Sequence, residues 1–200
     1  MIKKIKIISV LLIIISLVSI LFFHYKNVKD IYVQNEIIDN MFVYDVEEEN
    51  NDVKDTIKID VVSDYLGYIF IPRFDIKRLV KSGTDSSVLD SNYVGVHELS
   101  SSIDEDDLII LAGHNVSNVF SRLHDTDIND EVIIGNSSVN RRFVVYNKIV
   151  VNEYDFSYLN ENRKNELLLI TCTNNSGERL LVMLKEVLWV FTNIFLILIK

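Results

Sequence analysis

The sequence predicts an all-β domain, a barrel or a sandwich, carried behind an apolar N-terminal segment. Two observations carry this expectation. Between about residues 64 and 186 the chain alternates short runs rich in Val, Ile, Tyr and Phe with turn signals, the spacing of a many-stranded sheet. The last two of these runs, Leu167 to Thr173 and Arg179 to Val187, are joined by Asn174-Asn175-Ser176-Gly177, the composition of a hairpin turn. Hydrophobic residues make up 48% of the 200, with much of that share at the two ends.

The N-terminus carries Lys3, Lys4 and Lys6, followed by Ile7 to Phe23, seventeen residues interrupted only by Ser9, Ser16 and Ser19. This is close to the ~20 residues that span a hydrocarbon core. Lysines ahead of the span place the N-terminus inside and the rest of the chain outside. A cleaved signal peptide is the competing reading, but Phe22-Phe23-His24-Tyr25 is too bulky for a small-x-small cleavage site. Residues 1–24 are therefore read as cytoplasmic tip and single-pass signal-anchor in the cell membrane.

Residues 25–63 are read as a stalk. Residues 26–42 carry a weak helical periodicity in Val28, Ile31, Val33, Ile37, Ile38 and Met41, suggesting a short amphipathic helix. Residues 45–60 hold seven acidic side chains against Lys54 and Lys58, a solvated linker by composition.

Within the domain, 64–186, strands are predicted at Gly67 to Ile71, Ile76 to Val80, Asp107 to Ala112, Glu131 to Ile134, Arg142 to Val151, Leu167 to Thr173 and Arg179 to Val187. Short helical pieces are expected at Ser86–Leu89 and Val119–His124. Pro72, the sole proline, sits where the first strand would end, a place where no ladder N–H is missed. Residues 187–200 form an apolar tail ending in Lys200. Its thirteen-residue run, Val187 to Ile199, gives a helix of about 20 Å, short of the ~30 Å core. Packing on the barrel or lying at the membrane interface is the expectation, a second span the alternative.

The net charge of −9 and the lack of a basic stripe argue against a nucleic-acid partner. Cys172 is the only cysteine, which excludes an intramolecular disulfide and a cysteine-based zinc cluster. The hairpin would set Cys172 at the end of one strand and Arg179 at the start of the next. Cysteine nucleophiles need a thiolate, a proton carrier and oxyanion donors. His114 ends a buried run in Leu108-Ile-Ile-Leu-Ala-Gly-His-Asn115 and is the best-placed base; His97, in Val94-Gly-Val-His-Glu98, is its rival. By pattern alone Cys, His and Arg leave this open, since most histidines are structural.

Leu111-Ala-Gly-His-Asn115, Leu168-Leu-Ile-Thr-Cys172 and Arg179 together resemble the signature of the sortases, membrane-anchored cysteine transpeptidases of Gram-positive bacteria. Gly67-Tyr-Ile-Phe-Ile-Pro72, Phe120-Ser-Arg-Leu123 and Asn129-Asp-Glu-Val-Ile133 are similar to further sortase segments, in the same order. The resemblance covers roughly residues 67–186. It implies a closed eight-stranded β-barrel, with Cys172 as nucleophile, His114 as general acid and base, and Arg179 holding the substrate or the oxyanion. Thr171, Leu168, Asn115 and His97 are the candidate substrate-contacting positions. The implied partners are surface proteins carrying a C-terminal LPxTG-like sorting signal and an amine acceptor from a peptidoglycan precursor or a pilin.

Some features depart from the family pattern. Leu168 stands where the family usually has Thr, on the same strand face as Cys172; a more apolar substrate groove is expected. No long helical insertion fits between Val151 and Leu167, and no Asp-Pro lid precedes the domain. Asp104-Glu-Asp-Asp107 invites calcium, which some sortases bind through acidic loops, but one run supplies only part of the six to eight oxygens calcium requires. A solvated acidic loop is the preferred reading, with no cofactor required. Arg141, Arg142 and Arg163 are read as surface residues. Two other functions compete. A cysteine peptidase would use the same residues and pass the acyl group to water. A tethered binding domain would carry an inert, buried Cys172.

Overall fold

The computed structural model describes residues 2–43, 65–159 and 163–187. The acidic part of the stalk, from residue 44, and the tail from residue 188 lie outside the described residues.

Eight strands close into a barrel in the order β1-β2-β3-β4-β7-β8-β6-β5. They are β1 (Gly67–Ile71), β2 (Ile76–Ser82), β3 (Val94–Val96), β4 (Ile109–Ala112), β5 (Glu131–Gly135), β6 (Asn140–Asn152), β7 (Glu166–Cys172) and β8 (Glu178–Glu186). Most neighbours are antiparallel, but β2/β3 and β4/β7 run parallel. Seven of the strands fall on the predicted runs. The eighth, Val94–Val96, is too short and too glycine-interrupted to stand out in sequence. Pro72 opens a 3-10 turn, Pro72–Phe74, directly after β1.

Strand alternation sorts the apolar residues into two layers. Ile109 and Leu111 of β4, Leu167 and Leu169 of β7, and Leu180, Val182 and Leu184 of β8 point inward into the main core. Their even or odd neighbours point outward. Leu108, Ile110, Leu168, Ile170, Leu181 and Met183 form a second layer outside β4, β7 and β8. Tyr158, from a 3-10 turn at Ser157–Leu159 in the β6–β7 loop, covers that layer. Ser86–Leu89 is helical as predicted and is named α2. The other predicted piece is a 3-10 turn, Ser121–Asp125, shifted toward the C-terminal side of Val119–His124.

The N-terminal segment is one continuous helix, α1 (Ile2–Val43), of 42 residues and thus about 63 Å. The helix expected at 26–42 is present as the last part of α1 rather than as a separate piece, and it docks on the barrel from Gln34 onward. Gln34, Ile37 and Ile38 are buried, Ile37 and Ile38 packing with Tyr68 and Leu79 on the outside of β1 and β2, while Val28 and Val33 face solvent. Gln34 explains the attachment. β2 pairs with β3 only from Val80 onward, so the Leu79 N–H lacks a strand partner and donates to Gln34 Oε1 at 3.2 Å. Periodicity seen through Val and Ile alone misses a stripe centred on a glutamine. From Val10 to Phe23 the large apolar side chains of α1 are exposed.

Of the three arginines expected on the surface, Arg141 is buried and the Arg163 side chain is largely covered. Arg141 is 8% exposed, its guanidinium shared among Glu186 Oε2 at 2.5 Å, the Ile103 carbonyl at 3.1 Å and the Glu105 carbonyl. The Arg163 side chain is 9% exposed beside Glu166, and Arg142 is at the surface, paired with Glu131. Nothing in the sequence around Arg141 announces its partners, which lie 24 to 45 residues away.

Candidate active site

β4, β7 and β8 lie side by side, and their ends at one rim carry the three residues of the predicted constellation. In the β7/β8 ladder Cys172 is directly opposite Arg179. Directly opposed residues of an antiparallel pair share a face at Cβ separations of about 4.5–5.5 Å. In the parallel β4/β7 pairing Ala112 is level with Ile170. The pairing continues past the end of β4, because the Gly113 N–H donates to the Ile170 carbonyl at 3.1 Å. Two residues beyond Ala112 and Ile170 are His114 and Cys172. His114, Cys172 and Arg179 therefore stand in one row across three adjacent chain segments.

The backbone around His114 is fixed from several directions. Thr171 Oγ1 donates to the Gly113 carbonyl at 2.9 Å. The Phe120 N–H donates to the His114 carbonyl at 3.1 Å. Gly113 packs on Phe120 so closely that a Cβ there would lie 2.7 Å from the ring, which accounts for a glycine ahead of the histidine. Asn115 Nδ2 reaches across to Asn174 Oδ1 at 3.1 Å, tying the loop after His114 to the loop after Cys172. On its far side the His114 ring bonds through Nε2 to Asp90 Oδ1 at 2.8 Å.

Arg179 is held at both ends of its fork. Nη2 donates to Glu153 Oε2 at 3.0 Å, and Nη1 donates to the Glu178 carbonyl at 3.1 Å. Glu153 is in turn placed by its own N–H, which donates to the Gly177 carbonyl at 2.8 Å. Gly177 takes φ +80°, a left-handed turn position that favours glycine, as the hairpin signal anticipates. Burial pushes the Tyr158 phenol up, with the Arg179 charge pulling the other way. Cys172 is a free thiol of intermediate exposure at the end of the otherwise buried β7.

The remaining candidates divide. Asn115 stands at the rim. Thr171 is 2% exposed and points into the barrel, because odd positions of β7 face inward; it braces Gly113 rather than offering a surface to a ligand. Leu168 shares the Cys172 face, as alternation requires, but lies fully buried in the layer that Tyr158 covers. His97 follows β3 and accepts the Leu99 N–H through Nδ1 at 3.2 Å. It is not bonded to the His114 row. Asp90 and Glu153 were not foreseen. Both are common acidic residues in loops, and only the folded chain brings one to the imidazole and the other to the guanidinium.

A family model for the sortase domain matches residues 69–187. The chain belongs to the sortase family. Sortases are cysteine transpeptidases, and this chain is an enzyme of that class. The fold is similar to sortase C1 from Streptococcus agalactiae, with 27% identity, a TM-score of 0.57, and 63% of this chain and 69% of that one covered. A lid mutant of sortase A from Corynebacterium diphtheriae matches at 26% identity and TM-score 0.53, covering 60% and 69%. A sortase D5 transpeptidase from Clostridium perfringens matches in fold at 23% identity and TM-score 0.55, covering 62% and 79%. No curated protein matches the chain.

In this sortase the acidic run lies in the β3–β4 loop. Among the described residues no group of three His, Cys, Asp or Glu side chains is arranged to hold an ion. Asp104 is hydrogen-bonded by Ser102, which holds its carboxyl below the usual range, and Glu105 accepts the Ser102 N–H. The loop carbonyls of Ile103 and Glu105 already face a cation, the Arg141 guanidinium. The run Asp104, Glu105, Asp106 and Asp107 is thus part of a loop braced by Arg141.

Proposed function

We propose that this sortase acts on an LPxTG-like sorting signal through a thioacyl intermediate on Cys172. The Cys172 thiolate attacks the Thr carbonyl carbon of the signal. His114 delivers a proton to the departing Gly nitrogen as the C–N bond breaks, and a thioester remains. An amine from a peptidoglycan precursor or a pilin then attacks the thioester; its proton passes to His114 and the thiolate is released. Arg179 donates to the substrate carbonyl or to the oxyanion that develops on it. The row of His114, Cys172 and Arg179 across β4, β7 and β8 is the observation that carries this reading.

The same reading makes the enzyme a single-pass membrane protein with its barrel outside. It is supported by the lysines before the span, the exposed apolar stretch Val10 to Phe23, and the attachment of the following turns of α1 to the barrel. Protease added to intact protoplasts is expected to remove the barrel, and full protection would overturn this topology.

The activity is tested with the full chain in detergent micelles, a library of sorting-signal peptides, and mass spectrometry. An acyl adduct on Cys172, resolved by an added amine to a ligated product, is the expected result. Product released only to water would make the enzyme a peptidase. An adduct absent from Cys172, with the thiol inert to iodoacetamide in the folded protein, would refute the catalytic reading.

A further inference from the structure

We propose that Asp90 is a positioning residue for His114, holding the imidazole by Nε2 so that Nδ1 is the nitrogen that exchanges the proton during catalysis. This rests on the reading of His114 as the general acid and base. The backbone bonds of Gly113, His114 and Phe120 fix the His114 Cα and leave the ring free about its side-chain torsions. The one side-chain bond described to that ring is from Nε2 to Asp90 Oδ1, at 2.8 Å. A ring nitrogen engaged by a carboxylate carries the hydrogen in the neutral imidazole, which leaves the other nitrogen as the acceptor. The carboxylate thereby chooses both the tautomer and the direction of the working lone pair.

Asp90 itself sits on an ordered support rather than on a free loop. It ends α2, and its N–H is bonded to the Ser86 and Val88 carbonyls. α2 is capped at its start by Asp85, whose side chain accepts the Ser87 N–H at 2.8 Å. Two residues after Asp90 the chain turns through Asn92 at φ +60°, and the Asn92 carbonyl accepts from Gln34 Nε2 of α1 at 3.5 Å. The membrane helix thus holds the loop that holds the imidazole. Asp90 and His114 also share one wall of a cleft of about 780 Å³, whose other wall is Phe23, Lys26 and Asp30 of α1.

The Asp90 side chain is 67% exposed and that of His114 39%, so the pair contributes little to stability. An effect of its removal on catalysis without an effect on folding is therefore the signature of positioning. The test compares the wild type, Asp90→Ala, Asp90→Asn and His114→Ala as full chains in micelles. It reads acylation kinetics with a sorting-signal peptide, and it reads histidine tautomers by 15N NMR, with His114→Ala assigning the signal. The wild type is expected to show His114 as the Nε2–H tautomer when neutral. Asp90→Ala should lower the acylation kcat about tenfold, part of the 10²–10⁴ that general acid–base catalysis supplies, with KM within about twofold. Asp90→Asn keeps an acceptor oxygen toward Nε2 and should restore part of the loss.

A wild-type kcat in Asp90→Ala, or a neutral His114 in the Nδ1–H form, would overturn the proposal. A loss confined to KM would do the same. If His114→Ala acylates normally, the acid–base reading fails instead, and the tautomer measurement still decides whether Asp90 orients the ring.

Discussion

Replacing Arg179 by Lys separates a geometric role from mere charge. Arg179 is gripped on one side by Glu153 at 3.0 Å and on the other by the Glu178 carbonyl at 3.1 Å, directly across the ladder from Cys172. Its planar fork can offer parallel N–H donors to one carbonyl, whereas a lysine ammonium is a compact point charge on a flexible stem. If the fork donates to the oxyanion, the loss of one such donor costs about 2.7–4 kcal/mol of barrier, or ~10²–10³ in acylation rate. The structural cost is much smaller. The Arg179 and Glu153 side chains are 31% and 29% exposed, a partly solvated pair whose loss is about 1 kcal/mol or less, equivalent to a Tm change of at most roughly 4 °C. Rapid-quench mass spectrometry of the Cys172 thioacyl adduct measures the rate, and thermal unfolding of the same preparations measures the Tm. Arg122 is the control, being 57% exposed, paired with Asp125 and on the 3-10 turn before β5. Arg179→Lys acylating at the wild-type rate while Arg122→Lys does not would refute the reasoning.

Two further outcomes test the packing. Arg141→Met removes the cation that braces the Ile103 and Glu105 carbonyls and leaves Glu186 without its partner in a nearly buried setting; about 3–5 kcal/mol is expected to be lost, read as a lower midpoint in urea unfolding. Arg78 is the opposite case. Alternation puts it on the inner face of β2 with Ile76 and Val80, it is 2% exposed, and among the described residues its guanidinium bonds only the Lys77 carbonyl, with burial pushing it down to about 10. Arg78→Met should therefore stabilise the barrel by about 1–4 kcal/mol at neutral pH. Unfolded arginine keeps its proton to higher pH than folded Arg78, so the gain should shrink as pH rises through about 10, and a gain that grows with pH would contradict the assignment.

The division between sequence and tertiary structure follows from which interactions are local. Alternation of apolar and polar residues has period two, so seven strand runs and the shared face of Leu168 and Cys172 were legible without coordinates. The Asn/Gly turn likewise announced the hairpin that sets Cys172 against Arg179, because both strands lie within one short stretch of chain. What lay beyond local reading was every contact between segments far apart. The parallel pairing of β4 with β7 brings His114 level with Cys172, 58 positions apart, and no periodicity encodes the choice of partner strand. Asp90 reaches His114 across 24 positions and Glu153 reaches Arg179 across 26. The same limit explains the errors. Arg141 looks like any surface arginine until Glu186 and the β3–β4 loop close around it. Gln34 looks like a solvent residue until the edge of β2 presents it with an unpaired N–H. A polar side chain is sorted to the interior by the partners it finds there, and those partners exist only once the barrel has closed.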